Sequence, residues 1–96
     1  MTRDEIIRLI SSHRDRLTEL KVKRLALFGS VARGEDQPDS DVDVLVEFEA
    51  ALTLSLYMDL KFYLEKITRR RVDLVLSDSL TPRLKPHIEE DLVDVS

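Results

Sequence analysis

Two neighbouring stretches decide the fold: residues 25–34 read LALFGSVARG, and residues 39–46 read DSDVDVLV. The first is an apolar run that stops at Gly29-Ser30, as a buried strand ending in a turn does. The second alternates polar and apolar residues, which is typical of a strand with one buried face. Together they predict two strands connected through a glycine turn, a short helix and a polar turn that contains Pro38.

Helices are predicted on both sides of these stretches. Thr2 caps a first helix, with Glu5 completing a capping box, and the apolar stripe of this helix continues to Leu20. His13 lies on the stripe and is predicted to be packed or half-exposed at its boundary. Thr53 caps a longer helix with a broad apolar face.

The C-terminal part of the chain predicts one more helix. It starts at Thr81-Pro82 and has Leu84 on its apolar stripe, while Pro86 lies early in the helix, kinks it or marks its true start. The predicted strands are residues 22–28, 41–48 and 71–76, followed by a short extended segment within residues 92–95. This order predicts an α/β fold in a single domain of residues 1–96.

The composition argues against several classes of protein. The 96 residues carry a formal net charge of −4, whereas a dedicated nucleic-acid-binding protein normally presents a basic face. There is no cysteine, so neither a disulfide framework nor a thiolate metal site is possible. No apolar run approaches the roughly 20 residues that span a bilayer, and the N-terminus lacks a signal-peptide pattern. We therefore expect a cytoplasmic protein without a membrane or nucleic-acid partner.

Three aspartates form the candidate metal site. Asp41 and Asp43 are two residues apart on a predicted strand, so their side chains project from one face, roughly 6.5–7 Å apart along the chain. Such carboxylates repel each other unless a positive charge lies between them, and Mg²⁺ prefers hard oxygen ligands. Asp73 interrupts an apolar strand and is the candidate third ligand, which would allow a second ion. The alternative for Asp73 is an ion pair or an edge-strand position.

Gly29 and Ser30 form the candidate phosphate site. Glycine lets the backbone approach a ligand closely, the helix that follows offers unpaired N–H groups, and the serine adds a hydroxyl donor. Arg33 has a guanidinium suited to phosphate oxygens. The alternative for Arg33 is a surface ion pair with Glu35 or Asp36, and both interpretations stay open.

Gly29-Ser30, Asp41-Val42-Asp43 and Asp73 together resemble the core signature of the nucleotidyltransferase superfamily that includes DNA polymerase beta. At this length the chain resembles the minimal nucleotidyltransferase branch, and the resemblance covers nearly all of it. It implies the polymerase beta-like nucleotidyltransferase fold, a small mixed sheet flanked by helices. It also implies that Asp41 and Asp43 bind two Mg²⁺ ions, and that Asp73 binds one of them and helps to activate the acceptor hydroxyl. Gly29 and Ser30 would hold the nucleotide phosphates.

The same resemblance implies a reaction and a partner. Minimal nucleotidyltransferases are often the antitoxins of HEPN-domain toxins. The implied reaction is transfer of AMP from ATP to a tyrosine hydroxyl of a cognate HEPN toxin, with pyrophosphate leaving. One departure is Asp94, which lies where minimal members often carry an aromatic residue and bears on C-terminal packing or partner contacts.

Alternatives to this reaction remain. The chain could be a nucleotide-binding antitoxin that neutralises its partner by complex formation without catalysis. It could also modify a small molecule or an RNA end, although such enzymes carry acceptor-binding domains that 96 residues cannot supply. The basic run Arg69-Arg70-Arg71 is either solvated surface or a contact for the triphosphate or an acidic partner. Base preference, the number of AMP units added and a homodimeric state stay open.

Overall fold

A four-stranded mixed sheet organises this computed structural model, which describes residues 2–35, 37 and 40–95. β1 pairs antiparallel with β2 and β4, whereas β2 and β3 are parallel, and the order across the sheet is β3-β2-β1-β4. The strands are β1 (Val22–Phe28), β2 (Val42–Phe48), β3 (Val72–Leu76) and β4 (Val93–Asp94). They lie within one residue of the predicted strands, and β4 forms within the extended segment predicted at the C-terminus.

Five α-helices flank the sheet in the part of the chain that the structure describes. They are α1 (Arg3–Ser12), α2 (Arg14–Glu19), α3 (Gly29–Arg33), α4 (Leu54–Thr68) and α5 (Lys85–Glu90), with a 3₁₀ turn at Ser77–Ser79. α4 is the crossover that two parallel strands require, here β2 and β3. None of the described helices has both the length and the apolar content of a membrane span. The predicted α/β fold, a small mixed sheet flanked by helices, is confirmed.

The main core lies between one face of the sheet and the helices α1, α2 and α4. Val42, Val44 and Val46 of β2 are at most 1% exposed and point into this core, as their alternation predicted. The intervening residues of β2, among them Asp43, therefore point to the opposite face. The helical side of the core is formed by Ile6, Ile10, Leu17, Leu20, Leu60 and Leu64.

The first predicted helix is interrupted at His13, which corrects the expectation of one continuous helix to Leu20. The His13 backbone N–H donates to Ile10 O, while its imidazole Nδ1 lies 2.7 Å from Leu9 O. Leu9 O is the carbonyl that a continued α-helix would bond to that N–H, so the side chain competes with the helix. The imidazole is half-buried, as predicted, and packs edge-on against Tyr63 with ring centroids 5.7 Å apart.

The C-terminal helix begins later than the prediction at Thr81-Pro82. Thr81 Oγ1 does accept a hydrogen bond from the Leu84 N–H at 3.3 Å, but residues 82–84 form a turn ahead of α5. Pro86 lies within the first two positions of α5, where its missing N–H costs no helical hydrogen bond. Placing Leu84 on a buried stripe was wrong: Leu84 is 52% exposed, because a helix of six residues buries no complete stripe here.

Candidate active site

The turn at the end of β1 lies directly against the carboxylate of Asp43. The antiparallel register pairs Phe28 with Asp43, which brings the following residue, Gly29, next to this side chain. Gly29 has a φ of +73°, and a Cβ built on it would collide with Asp43 Oδ2. Glycine alone tolerates both the left-handed backbone and so close an approach. Gly29 thus makes room for the carboxylate.

The short helix α3 starts at the same point. Its first N–H groups have no partner within the helix, and no side chain of Phe28 caps them. Ser30 is half-buried in its first turn, and Ser30 O accepts a hydrogen bond from the Glu35 N–H at 2.9 Å. Gly34, with a φ of +73°, ends the helix. Backbone donors therefore lie beside Asp43, an arrangement suited to phosphate oxygens.

The three predicted aspartates are brought together on one face of the sheet. The parallel register pairs Asp43 with Asp73, and paired residues of neighbouring strands project from the same face. Asp41 immediately precedes β2. Burial raises the pKa of Asp43, the charges of Asp73 and then Asp41 raise it further, and Arg33 opposes this effect. The three carboxylates are thus close enough to repel one another.

Asp73 is exposed and lies on the edge strand β3, the position that the alternative interpretation of this residue included. Side chains of α4 hold the backbone on either side of it. The Tyr57 hydroxyl donates to Leu74 O at 2.8 Å, and the Val72 N–H donates to the Glu65 carboxylate at 3.0 Å. Tyr57 belongs to the broad apolar face predicted for this helix, and neither its hydroxyl nor Glu65 was assigned a role from the sequence. The signal in the sequence was the spacing of Tyr57 and Glu65, which are about two turns apart and so lie near one face of α4.

The donor set at this face fits magnesium. The described residues contain no three His, Asp or Glu side chains that would enclose an ion by themselves. Mg²⁺ does not require such a cage, because it usually keeps several waters and combines one or two carboxylates with substrate phosphates. Asp41, Asp43 and Asp73 supply hard oxygen atoms, and a cation held among them would offset the repulsion that, after burial, raises the pKa of Asp43.

Arg33 forms the predicted surface ion pair and a second one that the sequence did not reveal. Its Nε lies 3.0 Å from Glu35 Oε2, and its Nη1 lies 2.8 Å from Asp91 Oδ2. Hydrogen bonds to Asp91 and then Glu35 raise the pKa of the Arg33 guanidinium. Asp91 was missed because 58 residues separate the partners. Asp36, the other predicted partner, lies outside the described residues, as do Pro38 and Asp39 of the predicted polar turn.

Arg70 of the basic run contacts the loop ahead of Asp41, which neither sequence-based alternative included, whereas the exposed Arg69 and Arg71 agree with the solvated-surface alternative. The Arg70 guanidinium donates twice to Ser40 O, from Nε at 3.0 Å and from Nη2 at 2.8 Å, and Nη2 also donates to Gln37 O at 3.0 Å. Arg71 is 88% exposed in its side chain, with Nε 4.0 Å from Asp41 Oδ1. Arg70 was thus the functional candidate that sequence reasoning left unassigned.

Comparison with known proteins places the chain in a family. The family model described as nucleotidyltransferase domain matches residues 10–95. The chain is 38% identical over 96 residues to the protein adenylyltransferase MntA of Thermococcus cleftensis. The alignment covers 99% of this chain and 97% of that relative. Six relatives from Methanocaldococcus jannaschii, named for the same activity, are between 37% and 44% identical.

Two solved structures are similar in fold. A minimal nucleotidyltransferase gives a TM-score of 0.83 at 34% identity, covering 97% of this chain and 95% of that chain. A toxin–antitoxin structure with AMP-PNP gives a TM-score of 0.72 at 25% identity, covering 100% of this chain and 73% of that chain. This chain therefore belongs to the nucleotidyltransferase domain family and is a nucleotidyltransferase of its minimal branch.

Proposed function

We propose that this chain is a magnesium-dependent protein adenylyltransferase that transfers AMP from ATP to a tyrosine hydroxyl of a cognate HEPN-domain toxin, and so acts as its antitoxin. The observation that carries the proposal is the close approach of Gly29 to Asp43 together with the register that pairs Asp43 with Asp73. The relative named protein adenylyltransferase MntA and the similar toxin–antitoxin structure with AMP-PNP support it.

The chain's own residues would divide the work as follows. The first N–H groups of α3 and the Ser30 hydroxyl bind the triphosphate, and Arg33 adds positive charge beside it. Asp41, Asp43 and Asp73 hold two Mg²⁺ ions, which when bound supply positive charge to the phosphates and the leaving pyrophosphate. Positioning and charge neutralisation lower the barrier, without a covalent enzyme intermediate.

The exposed position of Asp73 suits a role toward the acceptor, because a tyrosine of another protein must approach from solvent. Asp73 accepts the proton of the tyrosine hydroxyl. A bond then forms between the tyrosine oxygen and the α-phosphorus of ATP, while the bond from that phosphorus to the leaving pyrophosphate breaks.

Transfer of radioactive label tests this proposal. The protein encoded beside this chain is incubated with it, Mg²⁺ and ATP labelled in either the α- or the γ-phosphate. We expect label on the neighbour from α-labelled ATP alone, on a tyrosine, because AMP is transferred and the γ-phosphate leaves in pyrophosphate. Label transferred from γ-labelled ATP would indicate a kinase. A neighbouring protein that gains no label from either form of ATP would contradict the proposal.

A second candidate function is a nucleotide-binding antitoxin that neutralises its partner by complex formation. Two apolar side chains of α4 are available for such a complex, since Leu54 is 77% and Phe62 is 57% exposed. A growth assay separates the two functions. The double variant Asp41→Asn/Asp43→Asn still protects cells from the partner if binding suffices, and loses protection if transfer is needed.

A further inference from the structure

We propose that Arg70 is a positioning residue for the carboxylate site: it holds the loop ahead of Asp41 in the conformation that binds magnesium and nucleotide. The inference rests on the proposed function only in that the site binds a nucleoside triphosphate. It does not depend on the acceptor or on the transfer of AMP.

The geometry of the guanidinium carries the inference. Arg70 directs two donors at Ser40 O and one at Gln37 O, all at 2.8–3.0 Å. Hydrogen bonds from a charged donor are stronger than neutral ones, and the planar fork of arginine fixes the direction of its acceptors. Ser40 is followed directly by Asp41, so the contact lies one residue from a candidate metal ligand.

The turn that Arg70 contacts is also closed by its own atoms. The Ser40 N–H donates to Gln37 O at 3.0 Å, and the Gln37 N–H donates to Ser40 Oγ at 2.9 Å. These two bonds join the ends of the turn to each other. The Arg70 bonds join the turn to the connection between α4 and β3, and so they help to determine where Asp41 lies relative to Asp43 and Asp73.

Arg70 is itself held in place by the connection from α4 to β3. Arg69 ends α4 with a φ of 56°, and its N–H donates to Glu65 O at 2.8 Å. The Val72 N–H donates to the carboxylate of the same glutamate, which fixes the start of β3. The Val42 N–H in turn donates to Arg71 O at 2.8 Å. The segment that places Asp73 therefore also reaches across to the loop that places Asp41.

This arrangement predicts an effect on affinity more than on turnover. If the loop is not held, Mg²⁺ and nucleotide must order it when they bind, and that ordering costs free energy. Once Mg²⁺ and nucleotide saturate the site, the loop ahead of Asp41 has the same geometry in the variant as in the wild type. We therefore expect the KM for Mg²⁺–ATP to rise in a variant of Arg70 while kcat changes by less than about threefold.

Titration calorimetry with Mg²⁺–AMP-PNP tests the inference without an acceptor. Arg70→Gln is expected to raise the Kd by about 10- to 100-fold, as loss of a residue that orients metal ligands does. Arg70→Lys keeps the positive charge but lacks the planar guanidinium, and its Kd is expected to lie between those of Arg70→Gln and the wild type. Arg69→Gln removes the same charge one residue earlier and is expected to bind as the wild type does.

Hydrogen–deuterium exchange of the ligand-free protein provides the second readout. The amides of Gln37, Ser40 and Val42 are expected to exchange faster in Arg70→Gln than in Arg69→Gln, with α4 unchanged. Equal affinity and equal exchange in the two variants would overturn the inference and leave the proposed function intact. A wild-type protein that does not bind Mg²⁺–AMP-PNP would overturn both.

Discussion

Gly29 lies so close to Asp43 that any side chain at position 29 would occupy the space of the carboxylate. The contact joins the candidate phosphate turn to the aspartates of the candidate metal site. It arises from the register of β1 and β2, which pairs Phe28 with Asp43. A single substitution at position 29 should therefore disturb both phosphate and metal binding.

The chain offers a matched pair of glycines to test this contact. Gly29 and Gly34 both have a φ of +73°, but a Cβ on Gly34 would meet nothing within 4 Å. Each substitution by alanine is expected to cost about 1–2 kcal/mol of unfolding free energy for the left-handed backbone. Gly29→Ala should in addition abolish Mg²⁺–AMP-PNP binding, whereas Gly34→Ala should retain it. Equal binding by both variants in calorimetry would refute the role given to Gly29.

Asp43→Asn is expected to stabilise the protein in EDTA at neutral pH. The pKa of Asp43 is raised in the folded state by burial and by Asp73 and Asp41. The folded state then binds more protons than the unfolded state, so stability falls as pH rises from the ordinary pKa of the carboxyl through the raised one. Asparagine removes that loss of stability.

Thermal unfolding at a series of pH values measures this effect. The wild type should lose stability across the stated pH window relative to Asp43→Asn, and the difference should persist at neutral pH. Asp59→Asn, which changes an exposed aspartate on α4, serves as the control and should follow the wild type. Two parallel curves for the wild type and Asp43→Asn would show that Asp43 carries no electrostatic strain.

Asp91→Asn is expected to tighten nucleotide binding by up to about fivefold. Asp91 holds Arg33 at 2.8 Å in a partly exposed ion pair, and solvent screens such a pair, so the expected gain is small. If Arg33 must leave Asp91 to reach a phosphate, weakening the pair frees the guanidinium. Arg33→Gln should weaken binding instead. Calorimetry that finds both variants equally weakened would mean that Asp91 positions Arg33 rather than competes for it.

Tyr57→Phe is expected to destabilise the protein by about 1 kcal/mol, because it removes the hydroxyl that donates to Leu74 O on the edge strand. For a domain of this size that corresponds to a decrease in Tm of roughly 4–8 °C. Tyr63→Phe, on the same helix, should decrease the Tm less. A Tm unchanged by Tyr57→Phe would indicate that the hydroxyl does not hold the strand of Asp73.

The strands and the shared face of the aspartates follow from local pattern, and that is why they could be predicted. In β2, alternation alone assigns Val42 and Val44 to the core and Asp43 to the opposite face, and the structure agrees. The parallel pairing of Asp43 with Asp73 was not predicted, because alternation contains no information on strand direction. The family resemblance implied only that these residues share a metal site.

Contacts between distant residues could not be predicted in this way. Arg70 reaches Ser40 across 30 residues and Arg33 reaches Asp91 across 58, and the folded arrangement of α3, α4 and α5 decides both contacts. The helix break at His13 was missed for a different reason. There, one imidazole nitrogen competes for a backbone carbonyl, an effect that hydrophobic periodicity does not record.

The proposed transfer of AMP is tested most directly by measuring the intact mass of the neighbouring protein after incubation with this chain, ATP and Mg²⁺. We expect a gain of one or more adenylyl groups with the wild type and with Asp59→Asn. In Asp41→Asn/Asp43→Asn the rate should fall by roughly 10³-fold or more, because metal contributes several kcal/mol and each ~1.4 kcal/mol is a factor of ten. A neighbour that gains no mass, or gains it equally with the double variant, would refute the proposed transfer of AMP by these aspartates.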